Sequence, residues 1–188
     1  MEQIRLRPAT PADITPLNAL INASVRRLAV GFYDAQQIES SLRHMFGVDS
    51  QLVNDGTYFV IEVDGAPAAC GGWSARQTLF GGDQHKAADH RGSDAPVDPA
   101  VVPARIRAFF VHPDFARRGL ARRLYEHCAA EAARAGFVSL ELMGTLPGVP
   151  LYRALGFETL ETVGVELPDG VVVPCERMRI DLNGETRD

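Results

Sequence analysis

The chain has 188 residues, enough for one domain with a sizeable core, and its 46% hydrophobic and 23% charged content is that of an ordinary globular protein. A net charge of −5 speaks against general nucleic-acid binding, which needs a basic footprint. No apolar run approaches the ~20 residues that span a bilayer, and the start, Met1-Glu2-Gln3-Ile4-Arg5, has no apolar signal region.

Gln3 to Arg7 alternates polar and apolar residues and predicts a short first strand, stopped at Pro8. Thr10 as N-cap and Pro11 at the first helical position open a helix, which Ile14, Leu17, Leu20, Ile21 and Val25 carry to about Leu28. Gly31 breaks that pattern, and Asp34 caps a second helix bearing Ile38, Leu42 and Met45 and ended by Gly47. Thr57 to Val63 and Ala66 to Trp73, rich in β-branched and aromatic residues and joined by Asp64-Gly65, predict a hairpin. Gly71-Gly72 marks a bulge or a close backbone approach. Trp73, the single tryptophan, reads equally as a core residue or as the lining of a site.

From about Arg76 to Pro103 the pattern dissolves into Gly, Asp, His and Pro, and a loop that long within a domain is functional or disordered. His85, His90, Asp83 and Asp89 fall in it, but their spacing matches no metal motif, so no metal is expected. Cys70, Cys128 and Cys175 also lack any ligand spacing; an odd number of distant thiols suits a reducing, cytoplasmic compartment.

Arg105 to Val111 reads as a strand that stops at Pro113, with His112 a strand-end residue. Two arginines and Gly119 then open a helix on which Leu120, Leu124, Cys128 and Ala132 share a face, ended by Gly136. The first turn of a helix has unpartnered N–H groups and partial positive charge, so strand, basic loop and helix together make an anion site. Neither a P-loop nor a dinucleotide fingerprint is present. Val138 to Met143 follows as a strand, Val149 to Leu155 as a short helix, and Phe157–Leu167 and Val171–Leu182 as a second hairpin about Pro168-Asp169-Gly170. From Asn183 the chain reads as a frayed tail, residues 183–188. The expected fold is a single α/β domain over residues 1–188, with a mixed, twisted sheet flanked by helices and no repeat or linker.

Two stretches carry a resemblance. Val111-His112-Pro113 followed by Ala116-Arg117-Arg118-Gly119-Leu120-Ala121 resembles the acetyl-CoA loop of the GCN5-related N-acetyltransferases (GNAT family), and Leu151-Tyr152-Arg153-Ala154-Leu155-Gly156-Phe157 is similar to the segment that closes the same family's core. Ala116 departs from the family pattern, where Arg or Gln is usual, and Thr145 stands about where relatives often carry an Asn.

The resemblance implies a splayed central sheet and acetyl-CoA as co-substrate. The backbone of Phe109, Phe110 and Val111 would take the pantetheine arm, and Arg117, Arg118, Gly119, Leu120, Ala121 and Arg122 would hold the pyrophosphate. Arg117, Arg118, Arg122 and Arg123 cannot all face it, because successive helical residues point in different directions. The implied reaction is direct acetyl transfer to an amine of a small molecule or peptide, with Tyr152 as the acid that protonates the leaving thiolate. The base is unassigned, with Glu62 and Glu141 as strand-borne candidates. Phe32, Tyr33 and Phe46 read first as core aromatics and second as acceptor-side residues. The 76–103 loop is a candidate lid, and relatives are often homodimers. The alternative is a non-catalytic acyl-CoA-binding or sensor domain on the same fold; retention of Tyr152 argues against it.

Overall fold

A computed structural model describes residues 2–88 and 95–182 of the chain. Its strands are β1 (Ile4–Pro8), β2 (Tyr58–Val63), β3 (Ala66–Ser74), β4 (Ala104–Val111), β5 (Ser139–Thr145), β6 (Glu158–Glu166) and β7 (Val172–Asp181). They form one mixed sheet in the order β1-β2-β3-β4-β5-β7-β6. The helices are α1 (Ile14–Leu28), α2 (Ala35–His44), α3 (Ser50–Asn54), α4 (Asp83–Ala88), α5 (Leu120–Arg134) and α6 (Val149–Ala154).

The two sheet faces bury separate cores. On one, Leu17, Leu20, Ile21 and Val25 of α1 pack with Ile38 of α2, Val60 of β2 and Val173 of β7. On the other, Leu120, Leu124, Cys128 and Ala132 of α5 pack against Ile61, Ile106, Leu140 and Met178, as their four-residue spacing requires. Trp73 belongs to this second core, with its ring edge-on to Phe137 at 5.9 Å.

The caps predicted at Asp34 and Gly136 form, whereas Thr10 opens only a 3-10 turn, Pro11–Asp13, with no side-chain capping bond, and α2 ends at His44, with Met45 rather than Gly47 at its C-cap. Asp34 accepts from the Gln37 N–H at 2.8 Å and Gln37 returns a bond to the Asp34 N–H at 3.1 Å, a reciprocal box that opens α2. Gly136, φ +93°, closes α5 in the left-handed region. Two short helices have no counterpart in the sequence reading. α3 is too short to show periodicity, and long-range bonds hold it: the Asp83 carboxylate accepts from the Ser50 N–H and hydroxyl at 3.1 and 3.0 Å. α4 interrupts the 76–103 loop, whose base is pinched by a bridge between Arg76 and Pro96. Asp89, His90 and the expected frayed tail lie outside the described residues.

The feature that shapes the site lies at mid-sheet. β4 and β5 run parallel and pair only at Ala104↔Leu140 and Arg105↔Glu141; beyond that they separate. β4 also carries a bulge, because its register against β3 jumps from Cys70↔Phe110 to Gly72↔Arg107. The extra residue is Ala108, with φ +53°. It resets the alternation of the strand, so that Ile106 and Phe109 face the α5 side while Phe110 joins the α1–α2 side.

Candidate functional site

The gap between β4 and β5 leaves the β5-facing backbone edge of Ile106 to Val111 without a strand partner. A buried polar edge of that kind needs hydrogen bonds from elsewhere, and an extended amide-bearing ligand can supply them. A groove of about 670 Å³ runs from this edge to the start of α5. Phe109, Phe110, Val111, Arg117, Gly119, Leu120, Ala121, Arg122 and Tyr152 all line it.

At the α5 end the chain turns sharply. Arg117 has φ +64° and Gly119 φ +78°, two left-handed residues flanking Arg118, in a turn of the kind that gathers successive backbone N–H groups on one side. Nothing lies within 4 Å of where a Gly119 Cβ would sit, so that side of the loop is open for a ligand to approach. Arg118 is turned elsewhere: it pairs with Glu2 and its guanidinium stacks 5.4 Å from the Phe115 ring centroid. Of the arginines at the helix start, Arg117 and Arg122 line the groove; Arg118 and Arg123 do not. Ala116, the departure from the family pattern, also lines it.

A second, smaller cavity of about 60 Å³ lies against the same part of β4 and is walled by Met45–Gly47 and Leu79–Gly82. Phe46, Phe109, Phe110, Thr145 and Tyr152 line both cavities, so these residues mark the junction. The wall segment is fastened by backbone bonds from Gly82 N to Met45 O at 2.9 Å and from Asp83 N to Val48 O at 3.2 Å, and Arg107 donates to the Gly81 carbonyl. Arg107 itself is buried beside Asp49, 2.7 Å away.

Tyr152 reaches the junction from α6, its ring edge-on to Phe157 at 5.7 Å. Among the described residues its hydroxyl has no hydrogen-bond partner, and burial pushes its pKa well above the usual phenol value. It is a protonated donor with nothing yet to donate to. Tyr33 is already engaged: its hydroxyl donates to the Pro174 carbonyl at 2.8 Å and accepts from the Leu146 N–H at 2.9 Å, tying the turn after α1 to β7 and the β5–α6 loop. Phe32 is exposed and lines the larger groove; Phe46 is buried, edge-on to Phe110 at 5.6 Å.

Both candidate bases lie away from these cavities. Glu62 accepts from Arg7 at 2.6 Å on the β1–β2 edge, and Glu141 sits 3.2 Å from Arg105 and 3.8 Å from Arg177. His112 caps the turn after β4, its Nδ1 accepting from the Asp114 N–H at 3.3 Å. The three cysteines are buried and unbridged. No group of three or more metal-ligating side chains occurs among the described residues. Nor, among them, is any helix long and apolar enough to cross a membrane.

Gly71-Gly72 signalled an irregularity in β3, and the β3–β4 register does shift between Cys70 and Gly72; that Ala108 is the bulged residue, and the wall at Leu79–Gly82, had no sequence signal, since neither an alanine nor an irregular loop announces its conformation.

A model of the acetyltransferase (GNAT) family matches residues 22–157. No protein of curated function matches the sequence. Among solved structures, a GCN5-related N-acetyltransferase from Rhodopseudomonas palustris superposes with a TM-score of 0.69 at 17% identity, over 94% of each chain. YncA, a putative acetyltransferase from Salmonella typhimurium determined with its cofactor acetyl-CoA, gives 0.63 at 16% identity over 99% of this chain and 98% of its own. The PaiA N-acetyltransferase from Thermoplasma acidophilum, in complex with coenzyme A, gives 0.63 at 12% identity over 95% of this chain and 99% of its own.

Proposed function

The chain belongs to the acetyltransferase (GNAT) family and is an acetyl-CoA-dependent acyltransferase, and we propose that it moves the acetyl group directly to the amine of a small molecule, with Tyr152 as the general acid. The observation that carries this reading is the junction: a groove of about 670 Å³ along the free edge of β4 and a separate small cavity share Tyr152 in their common wall. Two substrates bound one in each would meet there, held as neighbours rather than by chance encounter.

In this reading the pyrophosphate sits against the N–H groups of the Arg117–Ala121 turn, with Arg117 and Arg122 adding charge. The pantetheine arm lies along the free edge of β4 as a further strand would. A neutral amine nitrogen attacks the thioester carbonyl carbon; the C–N bond forms and the C–S bond breaks. The Tyr152 phenol gives its proton to the departing thiolate, and the proton shed by the nitrogen returns to the phenolate, so the enzyme ends as it began. The high phenol pKa caused by burial keeps the donor charged with its proton throughout the neutral range.

The test is CoA release from acetyl-CoA across a panel of amines, by wild type and Tyr152→Phe, with CoA affinity measured for both. Turnover lost in the variant at unchanged affinity is the expected result. Tight binding without turnover on any amine would favour the sensor reading instead.

A further inference from the structure

Tyr33 stands where β5 gives way to the helix that carries Tyr152. The last pair of the β5–β7 ladder is Thr145↔Cys175, and the same register places Leu146 opposite Pro174. The Tyr33 hydroxyl lies between those two, accepting from the Leu146 N–H at 2.9 Å and donating to the Pro174 carbonyl at 2.8 Å. Both directions are forced, since an N–H only donates and a carbonyl only accepts. Pro174 has no N–H to return a ladder bond, and the phenol ends the pairing at this rung. Tyr33 is itself well held: it is buried, and its N–H bonds the Ala29 carbonyl just past α1 at 3.0 Å. Burial also raises the pKa of its phenol, so the hydroxyl keeps the proton that the Pro174 bond needs.

The path from Leu146 to Tyr152 is short and rigid. The Gly148 N–H closes a turn onto the Thr145 carbonyl at 2.8 Å, and the Gly148 carbonyl accepts from the Tyr152 N–H at 3.2 Å. The Tyr152 ring rests on that same turn: a Cβ on Gly148 would come within 3.0 Å of its Cε2 and 3.4 Å of the Thr145 carbonyl. α6 has six residues, too few for a helix to be stable without outside support. Whatever anchors the turn therefore sets where α6 and its phenol point.

Resting on the reading of Tyr152 as the general acid, we propose that Tyr33 is a positioning residue for the reaction. Its hydroxyl fixes the Thr145–Gly148 turn and thereby holds the Tyr152 phenol at the junction of the two cavities. Tyr33 is not a second acid, because its proton is committed to the Pro174 carbonyl. It acts through Tyr152, whose proton transfer depends steeply on distance and direction.

The experiment is a double-mutant cycle with Tyr33→Phe and Tyr152→Phe, read as kcat on the best amine of the panel and as acetyl-CoA affinity by calorimetry. Tyr33→Phe alone should lower kcat by about 10–100-fold, with acetyl-CoA affinity within about twofold of wild type. In the Tyr152→Phe background the same change should cost less than about twofold, because the group it positions is already gone. A second readout does not depend on turnover: fluorine NMR of protein labelled with 3-fluorotyrosine, with acetyl-CoA bound. The chain has four tyrosines, and the Tyr152 line is the one lost in Tyr152→Phe. Tyr33→Phe should shift or broaden that line and leave the Tyr58 line in place. An unmoved Tyr152 line, an unchanged kcat, or an equal loss in both backgrounds overturns the inference and leaves the acid reading standing. Full activity of Tyr152→Phe, or no turnover of any amine by wild type, overturns the acid reading and this inference with it.

Discussion

The Tyr58 hydroxyl donates to the Ala108 carbonyl oxygen at 3.1 Å, joining β2 to the left-handed residue of β4 across the intervening strand β3. Two adjacent glycines of β3 make that crossing feasible. A Cβ on Gly72 would sit 2.9 Å from the Tyr58 Cα and 3.0 Å from its ring, and one on Gly71 would sit 2.2 Å from the Phe109 ring. The bulge that opens the sheet is thus held by a phenol on one face and a phenyl ring on the other.

Tyr58→Phe removes the bond and leaves the Ala108 carbonyl without that donor. A buried neutral bond of this kind is worth about 1–2 kcal/mol. Urea unfolding should register that loss, and kcat should fall more than acetyl-CoA affinity, since the bulge positions the junction rather than the pyrophosphate turn.

Gly71→Ala puts a methyl group where the Phe109 ring now lies. Overpacking of this kind costs about 1–3 kcal/mol. Because Phe109 also lines the groove, displacement of its ring should weaken acetyl-CoA binding as well, which a calorimetric titration would detect. Unchanged affinity would mean that the ring moves away from the groove.

Arg122→Ala and Arg118→Ala separate the arginines at the start of α5. Arg122 lines the groove, whereas Arg118 is occupied by Glu2 and Phe115. Loss of one charge-assisted phosphate contact is worth about 1.5–3 kcal/mol, so the first variant should bind acetyl-CoA at least about tenfold more weakly. The second should bind within about twofold of wild type, in keeping with the small worth of exposed pairs.

Tyr152→Phe keeps the ring that packs on Phe157 and removes the proton donor. General-acid catalysis typically contributes 10²–10⁴, so kcat should drop by about that factor with affinity for acetyl-CoA unchanged. Full activity in the variant would remove Tyr152 from the mechanism.

Asp13 carries the acid sensitivity of the first strand. The Arg7 guanidinium, with the Thr10 N–H and hydroxyl, holds its carboxyl well below the ordinary 3.8. A depressed native pKa means that the stabilisation is complete above the unfolded value near pH 4. It is lost as pH falls further and the native carboxylate takes up its proton. Wild type should therefore lose stability between about pH 4 and pH 2 more steeply than Asp13→Asn, as denaturant midpoints across that range would show.

Much of the architecture was legible because local rules and global fold agree. Asp34 ahead of Ile38, Leu42 and Met45 announces a capped helix, Asp64-Gly65 between two β-branched runs announces a hairpin, and Gly71-Gly72 announces the close approach that Phe109 and Tyr58 make. Elements without a local signature were not legible. α3 is held by Asp83, more than thirty residues away, and α4 begins at that same aspartate. Among the arginines of the loop, sequence shows that all cannot face one ligand, but which ones turn aside depends on where Glu2 and Phe115 fall.

The sequence by itself determined the family, the order of the strands and of α1, α2, α5 and α6 among them, and the basic turn that opens α5, because these rest on periodicity, caps and motif residues that act over a few positions. Only the tertiary structure decided that β4 and β5 part after two pairings, that Ala108 takes a left-handed conformation under Tyr58, and that Tyr152 stands between two cavities. It also decided that both candidate bases are spent on arginines. Each of these depends on contacts between residues far apart in the chain, whose energies no local pattern encodes.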